Sequence, residues 1–118
     1  MFKNIKTIKY FYRYIFKPDT VNNFGVNIFV GDSNISNWVR DAINKGFYEA
    51  AEAELLNDFL TKEDIVLEIG GGIGFIGSIC SSKAKQVNIY EANPKLIPII
   101  KHNCKLNGKN FYVYNYAV

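Results

Sequence analysis

A run of glycines follows an acidic residue and a short apolar stretch in VLEIGGGIGFIG, residues 66–77. The acid is Glu68, and the segment contains no lysine. Where a strand leads into a helix, residues without a side chain let main-chain amides approach a ligand closely. Ligands of open α/β sheets bind at the carboxyl ends of such strands. The segment therefore predicts a ligand-binding loop built from backbone.

Dinucleotides are one class of cofactor that binds to such a loop. Gly72, Gly74 and Gly77 match the G-x-G-x-x-G pattern, and Glu91 stands 19 residues after Gly72, where a ribose-binding acid belongs. This pattern taken alone favours NAD. A nucleoside triphosphate is disfavoured, because a P-loop needs a lysine followed by serine or threonine.

The charge of Glu68 favours a different cofactor. If its carboxylate points toward the loop, it repels each negative charge of a pyrophosphate by roughly 3 kcal/mol at about 6 Å and an effective dielectric of about 20. S-adenosylmethionine has a sulfonium, an ammonium and no phosphate, so an acid leading into the glycines helps to bind it. The residues therefore favour S-adenosylmethionine over NAD.

Four short motifs follow one another between residues 46 and 108. They are G-x-Y-E at 46–49, E-x-G-x-G-x-G at 68–74, E-x-N-P at 91–94 and LNG at 106–108. In this order and spacing they resemble the class I S-adenosylmethionine-dependent methyltransferases, and the FkbM-type family in particular. The resemblance implies methyl transfer to an oxygen nucleophile such as a sugar hydroxyl. Many family members have asparagine where this chain has Gly72.

The resemblance implies that the glycine loop holds the methionine part of the cofactor. Gly70, Gly72 and Gly74 would line it with backbone, and Glu68 would help to hold its charged end. The alternative for Glu68 is a structural carboxylate that accepts hydrogen bonds from loop amides. We expect no metal ion at this site.

The resemblance also implies roles for residues outside the loop. Glu91 would accept hydrogen bonds from both ribose hydroxyls, which suits the two oxygens of a carboxylate, and Ala92 would leave room beside the adenine. Tyr48 and Glu49 would lie over the methionine end. The alternatives are that Glu91 caps the following helix and that Tyr48 and Glu49 open an ordinary surface helix. No catalytic base is assigned.

The elements around the loop predict an α/β fold. The apolar runs IVLEI, QVNIY and FYVYNYAV are typical of strands, and we expect the first to be buried on both faces. FIGSICSSKA and NPKLIPIIKHNCKLNG predict the helices between them, the second capped by Asn93 and ended by Gly108. This alternation predicts a Rossmann-like parallel sheet with flanking helices, incomplete in that it has only the first three core strands.

The first 17 residues predict a basic amphipathic helix. They contain five cations and no acid, and apolar residues recur at steps of three or four. We expect the domains to be an N-terminal helix at 1–20 and a partial Rossmann-like methyltransferase domain at 21–118. The apolar face is expected to pack on the domain, and an anionic membrane surface is the alternative for residues 1–17.

The segment between this helix and the loop predicts short strands and two helices. Ser36 is placed to cap a helix that Gly46 ends, with Trp38 and Val39 facing inward. A second helix is predicted at 48–60, where Leu55 and Phe59 share one face.

Composition indicates one soluble domain. Of 118 residues, 48% are hydrophobic and 21% charged, and no apolar run approaches the roughly 20 residues that span a bilayer. Cys80 and Cys104 lack metal-ligand spacing, so we expect reduced thiols in a cytoplasmic protein.

The expected partner is a small-molecule or glycan hydroxyl acceptor, without nucleic acid. One alternative function is a truncated or split cofactor-binding module, whose exposed sheet edge a complementing chain covers. The other alternative is an NAD-dependent oxidoreductase.

Overall fold

The computed structural model describes residues 3–118, and residues 1 and 2 of the predicted N-terminal helix lie outside the described part. Five helices and five strands follow one another in these residues. Their bounds are α1 Lys3–Phe16, β1 Thr20–Asn23, β2 Val26–Phe29, α2 Asn37–Lys45, α3 Ala50–Phe59, β3 Ile65–Ile69, α4 Phe75–Lys83, β4 Gln86–Glu91, α5 Ile97–Asn107 and β5 Phe111–Asn115.

Strands β3, β4 and β5 form a parallel sheet in that order. Val87 of β4 pairs with Val66 on one side and with Phe111 on the other. Helices α4 and α5 connect the strands and pack against each other. The predicted Rossmann-like α/β fold with three core strands is confirmed, whereas the division into domains at residue 20 stays a prediction.

One face of this sheet is covered and the other is exposed. On the covered face, Val87 and Ile89 are fully buried with Ile100 and both cysteines, which are free thiols. The side chains of β3 alternate, so Ile65, Leu67 and Ile69 point to the opposite face and are 62–65% exposed. The expectation that β3 is buried on both faces is therefore wrong for the described residues.

The hairpin β1–β2 attaches to helix α5 through side-chain amides. Its turn has positive φ at Phe24 (51°) and Gly25 (83°), as a two-residue hairpin turn requires. Asn103 is fully buried; its Oδ1 accepts from the amide of Phe29 at 2.7 Å, and its Nδ2 donates to the carbonyls of Phe29 and Ile73. Because Ile73 belongs to the glycine loop, Asn103 ties the hairpin and the loop to one helix.

Helix α2 begins and ends where the sequence predicts. The Oγ of Ser36 accepts from the amide of Val39 at 3.2 Å, and Gly46 ends the helix with φ 80°. Its buried residues are Ala42 and Ile43, whereas Trp38 is 67% exposed, so the inward orientation predicted for Trp38 is wrong.

Helix α1 packs with the face opposite to the one expected. Arg13 is buried, and its guanidinium donates to Asn23 Oδ1 and to two backbone carbonyls. Ile8, Tyr12 and Ile15, which belong to the apolar stripe, are more than half exposed. The inner face offers these acceptors to the guanidinium, which explains the reversal. Within residues 3–118 no helix has the length and apolar content needed to cross a membrane.

Candidate functional site

The loop between β3 and α4 is shaped by three glycines in the left-handed region. Gly70, Gly72 and Gly74 have φ of 81°, 56° and 85°. Side chains disfavour this backbone conformation, so the glycines permit a turn that leads directly into the first turn of α4. Gly74 is the N-cap of that helix, and its amide donates to the carbonyl of Gly71 at 2.9 Å.

The three glycines differ in what surrounds them. A Cβ added to Gly70 would meet no atom of the described residues within 4 Å, and one on Gly72 would meet the Tyr48 hydroxyl at 3.4 Å. A Cβ on Gly74 would lie 3.0 Å from Cα of Ile100. Gly70 therefore leaves room for a ligand, Gly72 is covered by Tyr48, and Gly74 is required by packing.

Glu91 joins the end of β4 to the glycine loop. Its Oε2 accepts from the amide of Gly72 at 3.1 Å, and its Oε1 accepts from the amide of Asn93 at 2.8 Å. Helix α5 begins at Ile97, so Glu91 does not cap it. Each carboxylate oxygen has a second acceptor site. The predicted binding of ribose hydroxyls fits this geometry and stays a prediction.

Glu68 is half-buried beneath the loop, with its side chain directed toward helix α4. Its Oε2 lies 3.1 Å from the position that a Cβ on Gly77 would take and has no hydrogen-bond partner within residues 3–118. Burial, followed by the charges of Glu49 and Glu91, raises the pKa of Glu68 to about 8.

This pKa weakens the electrostatic reason for preferring S-adenosylmethionine over NAD. At pH 7 a carboxyl group with a pKa of about 8 is mostly neutral, so Glu68 repels a pyrophosphate less than an anion would. The physical reason is burial, which sequence spacing does not reveal. A cationic ligand next to Glu68 would lower its pKa and bind the ionised form.

Tyr48 and Glu49 lie next to the glycine loop. The ring of Tyr48 packs on Phe75 with centroids 5.9 Å apart, which holds its hydroxyl over Gly72. Burial, with Glu49 and Glu68 nearby, raises the pKa of Tyr48 to about 12, so it is a neutral hydrogen-bond donor. Glu49 begins α3 with φ 46°, a strained value for a residue other than glycine. Burial and Glu52 raise the pKa of Glu49.

Asn115 is a site residue that the sequence analysis missed. Its Nδ2 donates to the carbonyls of Glu91 at 2.9 Å and Ala92 at 3.0 Å, and so fixes the end of β4. Ala92 itself is exposed, as an adenine-facing residue would be. Its position in the sequence could have indicated this role, because Asn115 ends β5 and the carboxyl ends of parallel strands lie at one edge of a sheet.

These residues fit S-adenosylmethionine. Gly70 faces open space at the loop, and each carboxylate oxygen of Glu91 keeps an acceptor site for a hydroxyl group. The predicted site residues of β3, β4 and the start of α3 do converge on one loop. Their individual contacts with the cofactor remain predictions.

Two curated relatives match more than half of the chain. The probable ribosomal RNA small subunit methyltransferase A of Pyrococcus abyssi is 35% identical over 70 residues, which are 59% of this chain and 23% of the relative. The ribosomal RNA small subunit methyltransferase A of Latilactobacillus sakei is 34% identical over 90 residues, 76% of this chain and 24% of the relative. The chain thus spans about a quarter of the length of the curated relatives it matches.

Among solved structures, a dimethyladenosine transferase from Plasmodium falciparum superposes with a TM-score of 0.45 and 33% identity, covering 48% of this chain and 21% of that one. No family model matches the chain. The finer resemblance to the FkbM-type family therefore stays a prediction.

The described residues form a partial Rossmann-like domain, similar to that of the class I S-adenosylmethionine-dependent methyltransferases. S-adenosylmethionine is its expected cofactor. The prediction of a small-molecule or glycan acceptor without nucleic acid is wrong, because the relatives at 34% and 35% identity are named for ribosomal RNA. The motifs behind that prediction lie around the cofactor loop, and so they carry no information about the acceptor.

Proposed function

We propose that this chain binds S-adenosylmethionine in the β3–α4 loop and provides the cofactor site of a methyltransferase that acts on RNA. The observation that carries the proposal is the loop itself, in which Gly70 faces open space and the carboxylate of Glu91 accepts from the amide of Gly72. The RNA acceptor is supported by the names of the curated relatives.

Methyl transfer from a sulfonium is an in-line displacement in which positioning supplies much of the acceleration. The bound cofactor supplies the methyl group. Glu91 orients the loop through the amide of Gly72, and Asn115 holds the end of β4 in place. Tyr48 covers Gly72 with a hydroxyl that stays protonated at neutral pH and helps to exclude water.

A cofactor-binding module that depends on further polypeptide for catalysis is the second candidate. It is favoured by the coverage of the curated relatives, of which the chain spans about a quarter. Such a module binds the cofactor but transfers no methyl group by itself.

Calorimetry with S-adenosylhomocysteine tests cofactor binding. We expect Glu91→Ala to weaken binding at least tenfold, because the loop loses its attachment to β4. Glu54→Ala is the matched control, since Glu54 is an exposed acid on α3, and it should leave binding unchanged. Equal affinity in both variants would contradict the proposed site.

Two further measurements separate the alternatives. NAD binding that is lost in Glu91→Ala but kept in Glu68→Ala would favour an oxidoreductase. Transfer of a tritiated methyl group from S-adenosylmethionine to small-subunit ribosomal RNA would support an autonomous methyltransferase. Cofactor binding without transfer would support the module.

A further inference from the structure

A cavity of about 800 Å³ lies between α1 and α2, and its wall, as residues 3–118 describe it, includes no part of the glycine loop. This volume lies within the range of roughly 300–1,000 Å³ that is usual for small-ligand pockets. Much of the lining is aromatic or cationic. The lining includes Phe11, Tyr14, Lys17, Arg40 and Lys45.

The walls of this α1–α2 cavity are held in place by Arg13. Its guanidinium donates to Asn22 O at 2.8 Å, to Asn23 Oδ1 at 2.9 Å and to Asn44 O at 3.1 Å. One buried side chain thus connects α1 to β1 and to the end of α2. Hydrogen bonds from a charged donor are among the stronger ones in proteins, so the cavity has a fixed frame.

Exposed aromatic rings border the cavity. Phe11 and Tyr14 are three residues apart on α1, so they lie on neighbouring positions of the helix surface. Their exposed fractions are 65% and 74%. A ring beside a cavity offers a flat surface on which a nucleobase can stack, whatever its sequence.

The cavity carries a net positive charge. Its lining includes four cationic and two anionic side chains, which gives a formal charge of +2. Arg40 is oriented by donation from Nε to the carbonyl of Val30 at 2.9 Å. Lys45 pairs with Asp41 at 2.8 Å, but both side chains are about 60% exposed, so this ion pair is weak and can exchange for a phosphate.

We propose that the α1–α2 cavity binds a single-stranded segment of RNA, with a nucleobase stacked on Tyr14 and a neighbouring phosphate against Lys17. The proposal rests on the proposed action on RNA and adds a binding site away from the cofactor loop. Aromatic rings combined with cations in a groove are the usual means of holding a single strand without reading its sequence.

Helix α1 has a second exposed face, and a comparison of the two faces distinguishes RNA binding from binding to a lipid surface. Ile8, Tyr12 and Ile15 lie outside the lining of the cavity and are more than half exposed. A bilayer would contact this convex apolar stripe, whereas a nucleotide needs the concave, charged side. Tyr14 therefore tests RNA binding, and Tyr12, on the opposite face of α1, tests binding to a lipid surface.

Fluorescence anisotropy with a labelled, unstructured 12-nucleotide RNA tests the proposal on the full 118-residue chain. We expect Tyr14→Ala to weaken binding by roughly 5- to 100-fold, the usual effect of losing one stacked base. Tyr12→Ala is the matched control and should change affinity less than twofold. Lys17→Gln should reduce the slope of log affinity against log salt by about 0.7, the value for one phosphate contact on a single strand.

Three results would overturn the α1–α2 site. The first is an equal loss of RNA affinity in Tyr14→Ala and Tyr12→Ala. The second is full competition by free AMP at the same concentration as the RNA. The third is the absence of RNA binding together with binding to anionic phosphatidylserine vesicles that Tyr12→Ala abolishes. Melting curves by circular dichroism check that each variant folds. Calorimetry with S-adenosylhomocysteine is run in parallel. If the chain binds S-adenosylhomocysteine but not RNA, only the α1–α2 site is overturned. If it binds RNA but not S-adenosylhomocysteine, only the proposed cofactor function is overturned.

Discussion

At the scale of single residues, Glu68 couples the stability of the fold to pH. Its pKa is raised from 4.5 to about 8, chiefly by burial. Between these values the folded chain keeps a proton that the unfolded chain has released, so stability falls as pH rises through this window. At about 1.4 kcal/mol per pKa unit, the loss across the whole window is on the order of 5 kcal/mol.

Glu68→Gln tests this coupling, because glutamine has a similar shape and no charge. We expect the free energy of unfolding, measured with urea at pH 5, 6, 7 and 8, to fall much less with rising pH in the variant than in the wild type. Glu63→Gln, an exposed acid in the turn before β3, is the control and should keep the wild-type slope. A wild-type slope in Glu68→Gln would mean that another group titrates.

Two glycines of the loop should respond differently to alanine. Gly70 and Gly74 both have positive φ, so each substitution incurs a backbone cost of about 1–2 kcal/mol. At Gly74 the new Cβ would also lie 3.0 Å from Cα of Ile100. The loss in the free energy of unfolding should therefore be larger for Gly74→Ala than for Gly70→Ala by about 1–3 kcal/mol.

Thermal unfolding and cofactor binding separate the two roles. Gly70→Ala should stay folded and bind S-adenosylhomocysteine several-fold more weakly, because its Cβ would occupy the open side of the loop. Gly74→Ala should lose mainly stability. If Gly70→Ala binds as tightly as wild type, the open space beside Gly70 is not the cofactor site.

At the scale of elements, the side chain of Asn103 helps to hold the hairpin β1–β2 on the rest of the fold. Asn103 makes three hydrogen bonds to backbone groups of β2 and the glycine loop. Asn103→Leu leaves these buried groups unpaired, and we expect a loss of about 2–5 kcal/mol in urea unfolding. Asn107→Ala removes the more exposed bonds to Asn27 and should cost less than 1 kcal/mol.

Local signals identified most elements but not their orientation. The Ser36 cap and the Gly46 stop are set by chemistry within a few residues, and both were predicted. Periodicity shows that Leu55 and Phe59 share a face of α3, yet they are 60% and 74% exposed. Whether a face finds a partner depends on the whole fold, which a local pattern does not contain.

A turn capped by Asn93 precedes helix α5. The sequence predicts a helix capped by Asn93, and the helix itself begins at Ile97. Asn93 Oδ1 accepts from the amide of Lys95 at 3.1 Å, and the amide of Asn93 donates to Glu91 at 2.8 Å. This turn ties the segment to the cofactor loop. The glycines and Glu91 were predictable from spacing, whereas the burial of Glu68 was not.

At the scale of the whole molecule, apolar side chains are concentrated on the uncovered face of the sheet. Ile65, Leu67 and Ile69 of β3 point to the same side as Tyr112 and Tyr114 of β5, and all five are more than 40% exposed. A large exposed apolar surface promotes association, and β3 is also an edge strand of the described sheet.

We therefore expect the chain to associate with itself as its concentration rises. Sedimentation velocity between about 5 and 200 μM should show a rising weight-average mass, and Leu67→Lys should shift the onset to at least fivefold higher concentration, because it places a charge at the centre of the apolar surface. Lys62→Glu, an exposed charge change in the turn before β3, is the control and should leave the onset unchanged. If wild type and Leu67→Lys associate alike, the contact lies elsewhere, and the exposed stripe of α1 is the surface to change next.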